Sequence, residues 1–165
     1  MARFALVVLV SVLFVSFVSP ISLSAQSRVD LPNAFGIELL GRSALYSFVY
    51  QRNFGNPFAL EAGLSAIGGG GSDDSDMLIF IPIGGKVYFV PKNGSPFITG
   101  GVNIVTAAID SGPFGDDGTN TFFYAGLGFE YRSPAGFLFS GTAYGLISNE
   151  GSFFIWPGLH VGYAF

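Results

Sequence analysis

The most constraining feature of this sequence is a strict two-residue alternation that runs to its last position. Leu159, Val161, Tyr163 and Phe165 are apolar or aromatic, and small or polar residues lie between them. Successive side chains of a β-strand point to opposite faces, so this spacing predicts a strand whose two faces meet different surroundings. The chain is therefore predicted to end in a strand with one apolar face.

The same alternation recurs along the chain, and clusters of Gly, Pro, Asn and Asp separate the alternating segments. It predicts eight strands, over residues 33–41, 46–52, 58–65, 77–90, 98–104, 123–131, 137–147 and 155–165. Each of these strands has one face fit for contact with lipid.

Aromatic residues are more frequent than a small soluble protein needs. The chain of 165 residues contains 19 Phe and 7 Tyr, and its mean hydropathy is +0.54. After residue 25 no uninterrupted apolar stretch is long enough to span a bilayer as a helix, which takes about 20 residues. A lipid-facing exterior accounts for the aromatic residues better than a soluble lipocalin-like barrel, the rival fold, which would have to turn them inward.

The first 25 residues have the composition of a secretory signal peptide. Arg3 precedes an apolar stretch over residues 4–18, and Pro20 and small residues follow as far as Ser24 and Ala25. We predict cleavage after Ser24 or Ala25, which leaves a barrel domain over residues 26–165. The chain has no cysteine, and this excludes a lipoprotein and a disulfide-stapled scaffold.

An export leader, alternating strands and a terminal aromatic pair, Tyr163 and Phe165, together resemble the small eight-stranded outer-membrane β-barrel proteins of bacteria (the OmpA/OmpX/OmpW-like, porin-type group). The resemblance implies an all-β, antiparallel up-and-down barrel in a Gram-negative outer membrane. It also implies that the barrel-assembly machinery reads Tyr163 and Phe165 as an assembly signal. The glycine that this signal often carries five residues from the end is replaced by His160.

Charged and polar residues of the predicted strands share the face opposite the apolar one. The interior of an eight-stranded barrel is only just wide enough for side chains, so we expect them to form a packed polar lumen. Its predicted members are Glu38, Gln51, Glu61, Lys86, Asn103, Glu130 and His160, with Tyr124 and Tyr144 on the same face. Glu61 and Lys86 lie on consecutive strands and are expected to pair, because an unpaired buried charge is expensive. The alternative role is a path for protons or small ions.

The remaining charges follow the predicted connections. The longer, glycine-rich connections are acidic and are expected outside the cell, where they could contact divalent cations or lipid head groups; their aspartates are Asp73, Asp74, Asp76, Asp110, Asp116 and Asp117. Arg52, Lys92 and Arg132 fall at the periplasmic ends, and Arg42 falls in a very short first external loop. No basic patch suggests nucleic acid, and no metal or cofactor is expected.

Three functions are compatible with this pattern. The first is a non-enzymatic structural or interaction barrel, which we expect to be a monomer in contact with outer-membrane lipid. The second is a narrow channel or carrier for small or apolar solutes. The third, a lipid A-modifying enzyme, lacks a nucleophile with its base, since His160 is the only histidine and is predicted to point inward.

Overall fold

The structure, a computed structural model, describes residues 27–68, 77–108, 119–148 and 152–165. The predicted signal peptide lies outside these ranges. Within them, no helix combines the length and apolar character needed to cross a membrane. Eight strands and two short helical turns make up the fold. They are α1 (Ser27–Asp30), β1 (Asn33–Leu40), a 3₁₀ turn (Gly41–Ser43), β2 (Tyr46–Phe54), β3 (Phe58–Gly68), β4 (Met77–Tyr88), β5 (Gly94–Ala108), β6 (Thr119–Arg132), β7 (Phe137–Ser148) and β8 (Phe153–Ala164).

The strands form one closed antiparallel barrel in chain order. Each strand pairs with the next, and β8 returns to pair with β1, where Ala34 lies opposite Ala164. Closure removes the unpaired sheet edges that an open sheet would expose. The predicted fold class, an eight-stranded up-and-down barrel, is confirmed. The predicted strands match the observed ones within a few residues, and β5 and β6 are longer than the alternation alone indicates.

The two ends of the barrel differ. The end at which β1 begins and β8 ends, together with the turns after β2, β4 and β6, is called the terminus end here. The opposite end, called the loop end, carries the 3₁₀ turn between β1 and β2 and the connections after β3, β5 and β7. At the terminus end Phe165 extends the pairing of β8 with β1, because its amide donates to the Asn33 carbonyl at 2.8 Å and its carbonyl accepts from the Asn33 amide at 3.0 Å.

Alternation sorts the side chains into an apolar exterior and a polar interior. In β2 every second residue is buried, and Phe48 and Tyr50 on the other face are exposed. In β6 the exposed face carries Phe123 and Leu127, and Leu127 is 66% exposed. The side chains that a soluble protein would bury therefore cover the outside of the barrel.

Two inward glycines make room for a tyrosine. A Cβ atom built on Gly84 or Gly101 would collide with the Tyr124 hydroxyl and with backbone of the neighbouring strand. Close approach of this kind is a common reason for glycine within a strand. These glycines accommodate the Tyr124 ring, so they do not leave a gap through the lumen.

The connection between β1 and β2 is tight and strained. Leu40 and Ala44, which flank the 3₁₀ turn, have φ angles of 59° and 66°. Residues other than glycine adopt this region at a cost, and they keep it only where the surrounding structure holds them. The contacts of the residue between them, Arg42, supply that restraint.

Candidate functional site

Buried ion pairs line the lumen from the loop end to the terminus end. The loop-end half begins at Arg42, whose guanidinium lies 3.0 Å from Glu38 and 2.8 Å from Glu61. Lys86 continues the chain of charges, since its Nζ lies 2.8 Å from Glu61 and 3.2 Å from Glu130. All five side chains are buried, so each pair is removed from bulk water.

Two arginines complete the network at the terminus end. Arg132 lies 3.5 Å and Arg28 3.8 Å from the same Glu130 oxygen. Arg28 belongs to α1, which lies across this end of the barrel, and its guanidinium stacks 4.0 Å from the centre of the Tyr88 ring. The Arg28 guanidinium also donates to the Lys92 carbonyl at 2.6 Å. The N-terminal segment is thereby tied into the lumen.

Hydroxyl and amide groups add further hydrogen bonds around two of the carboxylates, Glu38 and Glu130. The Tyr144 hydroxyl donates to Glu38 at 2.6 Å, and the Tyr88 hydroxyl donates to Glu130 at 2.8 Å. The Gln51 amide donates to the Tyr88 hydroxyl at 2.8 Å. Because a buried carboxylate needs partners for more than one lone pair, these bonds complement the ion pairs.

The short first loop is held inside the barrel. The Asn103 amide donates to the Arg42 carbonyl at 2.6 Å, and the Arg42 guanidinium lies over the rings of Tyr124 and Tyr144, 5.4 Å and 5.7 Å from their centres. The loop therefore lies within the lumen mouth, and Arg42 is one of the largest fully buried side chains among the described residues.

The structure places every residue of the predicted polar lumen inside the barrel. Glu38, Gln51, Glu61, Lys86, Asn103, Glu130 and His160 are all buried. Glu61 and Lys86, for which a pair is predicted, are in contact at 2.8 Å. The first six of these side chains belong to one connected set of hydrogen bonds and ion pairs.

His160 differs from the rest of the lumen set. It is 2% exposed, and within the described part of the chain neither of its ring nitrogens has a hydrogen-bond partner. In register it lies between Glu38 on β1 and Ser140 on β7, without a hydrogen bond to either. A serine nucleophile needs a base within hydrogen-bond reach, so the described residues show no such constellation.

Three members of the network are missing from the lumen predicted by sequence. Arg42 is predicted in an external loop, Arg132 at a periplasmic end, and Arg28 is assigned no role. In the structure all three point inward and are buried. Alternation could have identified Arg132, which has the same parity as Glu130, whereas Arg28 and Arg42 lie outside strands, where parity carries no information.

The predicted acidic loop residues lie outside the described ranges. These are Asp73, Asp74, Asp76, Asp110, Asp116 and Asp117. Among the described residues, no group of three or more His, Cys, Asp or Glu side chains could hold a metal ion. Of the predicted assembly signal, Tyr163 and Phe165 are both exposed on the barrel exterior at the terminus end.

Comparison with known proteins yields structures and no sequence family. No family model matches the chain, and no curated protein matches it. One similar solved structure is Ail, the attachment invasion locus protein of Yersinia pestis, in complex with the heparin analogue sucrose octasulfate; it is 14% identical, covers 81% of this chain and 94% of its own, and has a TM-score of 0.47. A second structure of Yersinia pestis Ail is 12% identical, covers 81% of this chain and 93% of its own, and has a TM-score of 0.46. The fold of this chain is a closed eight-stranded antiparallel β-barrel, as its own strand pairing shows.

Proposed function

We propose that this protein is an integral outer-membrane β-barrel with a structural or interaction role and no enzymatic activity. The observation that carries the proposal is an inverted distribution of polarity, with an apolar exterior around a charged interior. Closed barrels are one of only two architectures that can span a bilayer, because every strand finds its hydrogen-bond partners within the protein.

The apolar exterior extends around the whole barrel. Each strand contributes at least one exposed aliphatic or aromatic side chain; examples from β1 to β8 are Ile37, Phe48, Leu64, Ile83, Ile98, Leu127, Phe139 and Ile155. A continuous apolar surface of this extent is far larger than the patches that monomeric soluble proteins expose. It supports a lipid-facing exterior and opposes the lipocalin-like alternative.

The interior favours a structural role over conduction. Lys86 on β4 contacts Glu61 on the adjacent β3 and Glu130 on β6, and Arg42 in the first turn contacts Glu38 on β1 and Glu61 on β3, so the connected ion pairs join strands from β1 to β6. An ion passing through would have to separate these pairs and leave charges unpaired in a poorly hydrated space. The channel function therefore requires rearrangement of the network, whereas the structural function uses it as it is.

The interaction role belongs to the loop end, which faces outward if both termini are periplasmic. The acidic connections would meet cations or head groups there, because hard divalent cations prefer carboxylate oxygens. The partners proposed for the barrel itself are outer-membrane lipid and, during biogenesis, the barrel-assembly machinery. We propose a monomer, since the whole apolar belt is then available to lipid.

The first experiment is gel mobility of the outer-membrane fraction with and without boiling. A closed barrel resists detergent until heated, so we expect a band in this fraction whose mobility changes on boiling. A protein that is found in the soluble periplasmic fraction and shows no such change would contradict the proposal.

A second experiment separates the structural role from the channel. The purified barrel is reconstituted in planar bilayers, and single-channel conductance is recorded for the wild type and for Arg42→Ala. The structural role predicts no discrete openings in the wild type. Regular openings in the wild type would favour the channel. An increase in conductance that is seen only in Arg42→Ala would identify the ion pairs as the barrier to ion passage.

A further inference from the structure

Within the part of the chain that the structure describes, the barrel wall is incomplete at the loop end, above the turn between β1 and β2. The β1–β8 ladder ends where Leu40 lies opposite Gly158, although β8 begins at Phe153. The β2–β3 ladder ends where Phe48 lies opposite Leu64, although β3 continues to Gly68. This leaves a notch bounded by residues 65–68 of β3, residues 153–157 of β8 and the turn over residues 41–45.

The edges of the notch have features of true sheet edges. Pro157, the first β8 residue above the end of β1, has no amide hydrogen to offer a neighbour, and proline within sheets is confined mainly to edges and bulges. On the other side the Tyr46 hydroxyl donates to the Ala66 carbonyl at 2.8 Å, in the place of a strand partner. Both edges are thus adapted to the lack of a neighbouring strand.

The notch begins within the height of the apolar belt. β2 has nine residues. At about 3.3 Å per residue and a tilt of about 40°, a strand of that length rises about 20 Å, whereas the apolar band of outer-membrane barrels is about 25 Å tall. Exposed apolar side chains flank the notch at this level, with Leu45 on the turn and Phe153 and Ile155 on β8.

Inside the loop end, the alternation of polar and apolar residues breaks down. Most residues that are inward-facing by register are apolar there, beside the polar Ser65 and Asn120, and together these apolar residues form what we call the apolar mouth: Ile67, Phe80, Val105, Phe122, Leu146 and Phe154. Their orientation follows from register, since Phe80 lies opposite the buried Ser65 and Phe122 opposite the buried Asn103. Phe154 remains 56% exposed. The interior of the barrel therefore has two parts, a charged lumen and an apolar mouth at the loop end.

The floor of the mouth is closed. Tyr124 lies opposite Leu146 and Tyr144 opposite Trp156, and directly against these tyrosines lies the Arg42 guanidinium. A ligand in the mouth would therefore meet the buried ion pairs at its inner end and go no further. Among the described residues, the mouth is an apolar site that is closed at its inner end and open at its side through the notch.

We propose that the apolar mouth holds one hydrocarbon chain of a lipid from the surrounding leaflet, which enters sideways through the notch. The interior of an eight-stranded barrel has room for side chains or one small ligand, which excludes a folded partner. The notch joins the mouth to the lipid-facing belt beside the exposed apolar side chains of Leu45, Phe153 and Ile155, so the bilayer is the source of the chain. This inference rests on the membrane location in the proposed function.

Trp156 provides a reporter at the base of the notch. It is the only tryptophan in the chain. Its indole N–H donates to the Ala44 carbonyl across the notch at 3.3 Å, and its ring centre lies 5.3 Å from that of Phe154 in the mouth. A lipid chain in the mouth would therefore contact the indole from inside the barrel.

The test is quenching of Trp156 fluorescence in phosphatidylcholine vesicles whose acyl chains carry bromine, compared with unbrominated vesicles. We expect strong quenching in the wild type. Leu146→Gln makes the mouth polar and should abolish most of this quenching, whereas Ile147→Gln, the adjacent change on the outer face, should leave it in place. Equal quenching in both variants, or none in the wild type, would overturn the proposal.

Two controls separate the possible failures. In Trp156→Phe combined with Leu127→Trp the reporter faces lipid at the belt, and brominated chains must quench it if the barrel spans the bilayer. Quenching of this reporter without quenching of Trp156 would refute the lipid-binding mouth and leave the proposed function intact; quenching of neither would refute membrane insertion itself. Quenching of Trp156 by a brominated fatty acid added from water, but not by brominated lipid, would refute the sideways route.

Discussion

At the scale of single residues, the lumen shows how a closed eight-stranded barrel can bury seven charges. Four cations, Arg28, Arg42, Lys86 and Arg132, meet three carboxylates, and each carboxylate contacts at least one cation. Removal of two ions from water costs several kcal/mol each, and only close pairing with additional hydrogen bonds offsets that cost. The network therefore serves less as a source of stability than as a constraint on which arrangement of the barrel is tolerated.

Lys86 is the residue on which this constraint depends most, because it bridges Glu61 and Glu130. Lys86→Met should lower the free energy of unfolding by about 3 to 5 kcal/mol, since it leaves buried carboxylates short of a partner. Urea unfolding of the folded barrel in lipid vesicles measures the change. Lys92→Met, which removes an exposed lysine, is the matched control and should have little effect.

If the loss arises from unpaired charge, a second substitution should recover part of it. Lys86→Met combined with Glu61→Gln also removes the negative charge of the carboxylate that has lost Lys86 as its partner. Glu130 keeps its contacts with Arg28 and Arg132. We expect the double variant to be more stable than Lys86→Met alone. A double variant that loses the sum of both single effects would show that packing, rather than charge, is what Lys86 contributes.

Adjacent glycines give a second residue-level prediction. A Cβ on Gly101 would collide with the Ile83 carbonyl and the Tyr124 hydroxyl, whereas one on Gly100 would meet only the Tyr124 carbonyl at 3.5 Å. Gly101→Ala should therefore destabilise the barrel by about 1 to 3 kcal/mol, the usual cost of overpacking. Gly100→Ala is the control, measured by the same unfolding assay. Equal stability of the two variants would contradict the inward placement of Tyr124.

At the scale of elements, strands are the part of this fold that sequence predicts well. Alternation identifies both the strands and their faces, so Glu38 and Glu130 are placed in the lumen without coordinates. It fails at Arg28 and Arg42, because the direction of a side chain in a helical turn or a loop depends on contacts made after the barrel closes. The notch is likewise a property of neighbouring strands, visible only once their relative lengths and register are known.

The terminal strand carries an element-level prediction. Phe165 exchanges two backbone hydrogen bonds with Asn33 at the seam between β8 and β1, and its ring is exposed on the exterior. Deletion of Phe165 should reduce the amount of folded barrel in the outer membrane, through loss of the assembly signal and of the seam. The heat-dependent mobility of the membrane fraction measures this amount.

A conservative change separates the two causes. Phe165→Ala keeps the backbone bonds to Asn33 and removes the aromatic ring. If the ring acts as an assembly signal, Phe165→Ala should resemble the deletion. Normal assembly of Phe165→Ala would assign the defect to the seam alone, and normal assembly of the deletion would reject both.

At the scale of the whole molecule, the surroundings on each side of the barrel wall decide which side chains face outward and which face inward. The apolar exterior is favourable only in a hydrocarbon surrounding, and the charged interior is tolerated only because the barrel closes around its pairs. The short β1–β2 hairpin is the one place among the described strands where these two media are not separated by a complete wall. In the proposed membrane location, the stability of such a chain is coupled to the bilayer around it.

This coupling predicts how a charge on the exterior behaves. Leu127 lies near the middle of β6 and is 66% exposed, so it should face the hydrocarbon core. Leu127→Arg should then cost about 2 to 4 kcal/mol in a bilayer, because an arginine at the membrane midplane loses its hydration. The same substitution in detergent micelles, where the side chain reaches water more easily, should cost less. Leu127→Phe controls for the change in shape. An arginine variant as stable as the wild type in bilayers would place β6 outside the hydrocarbon core and would remove the basis for a transmembrane barrel.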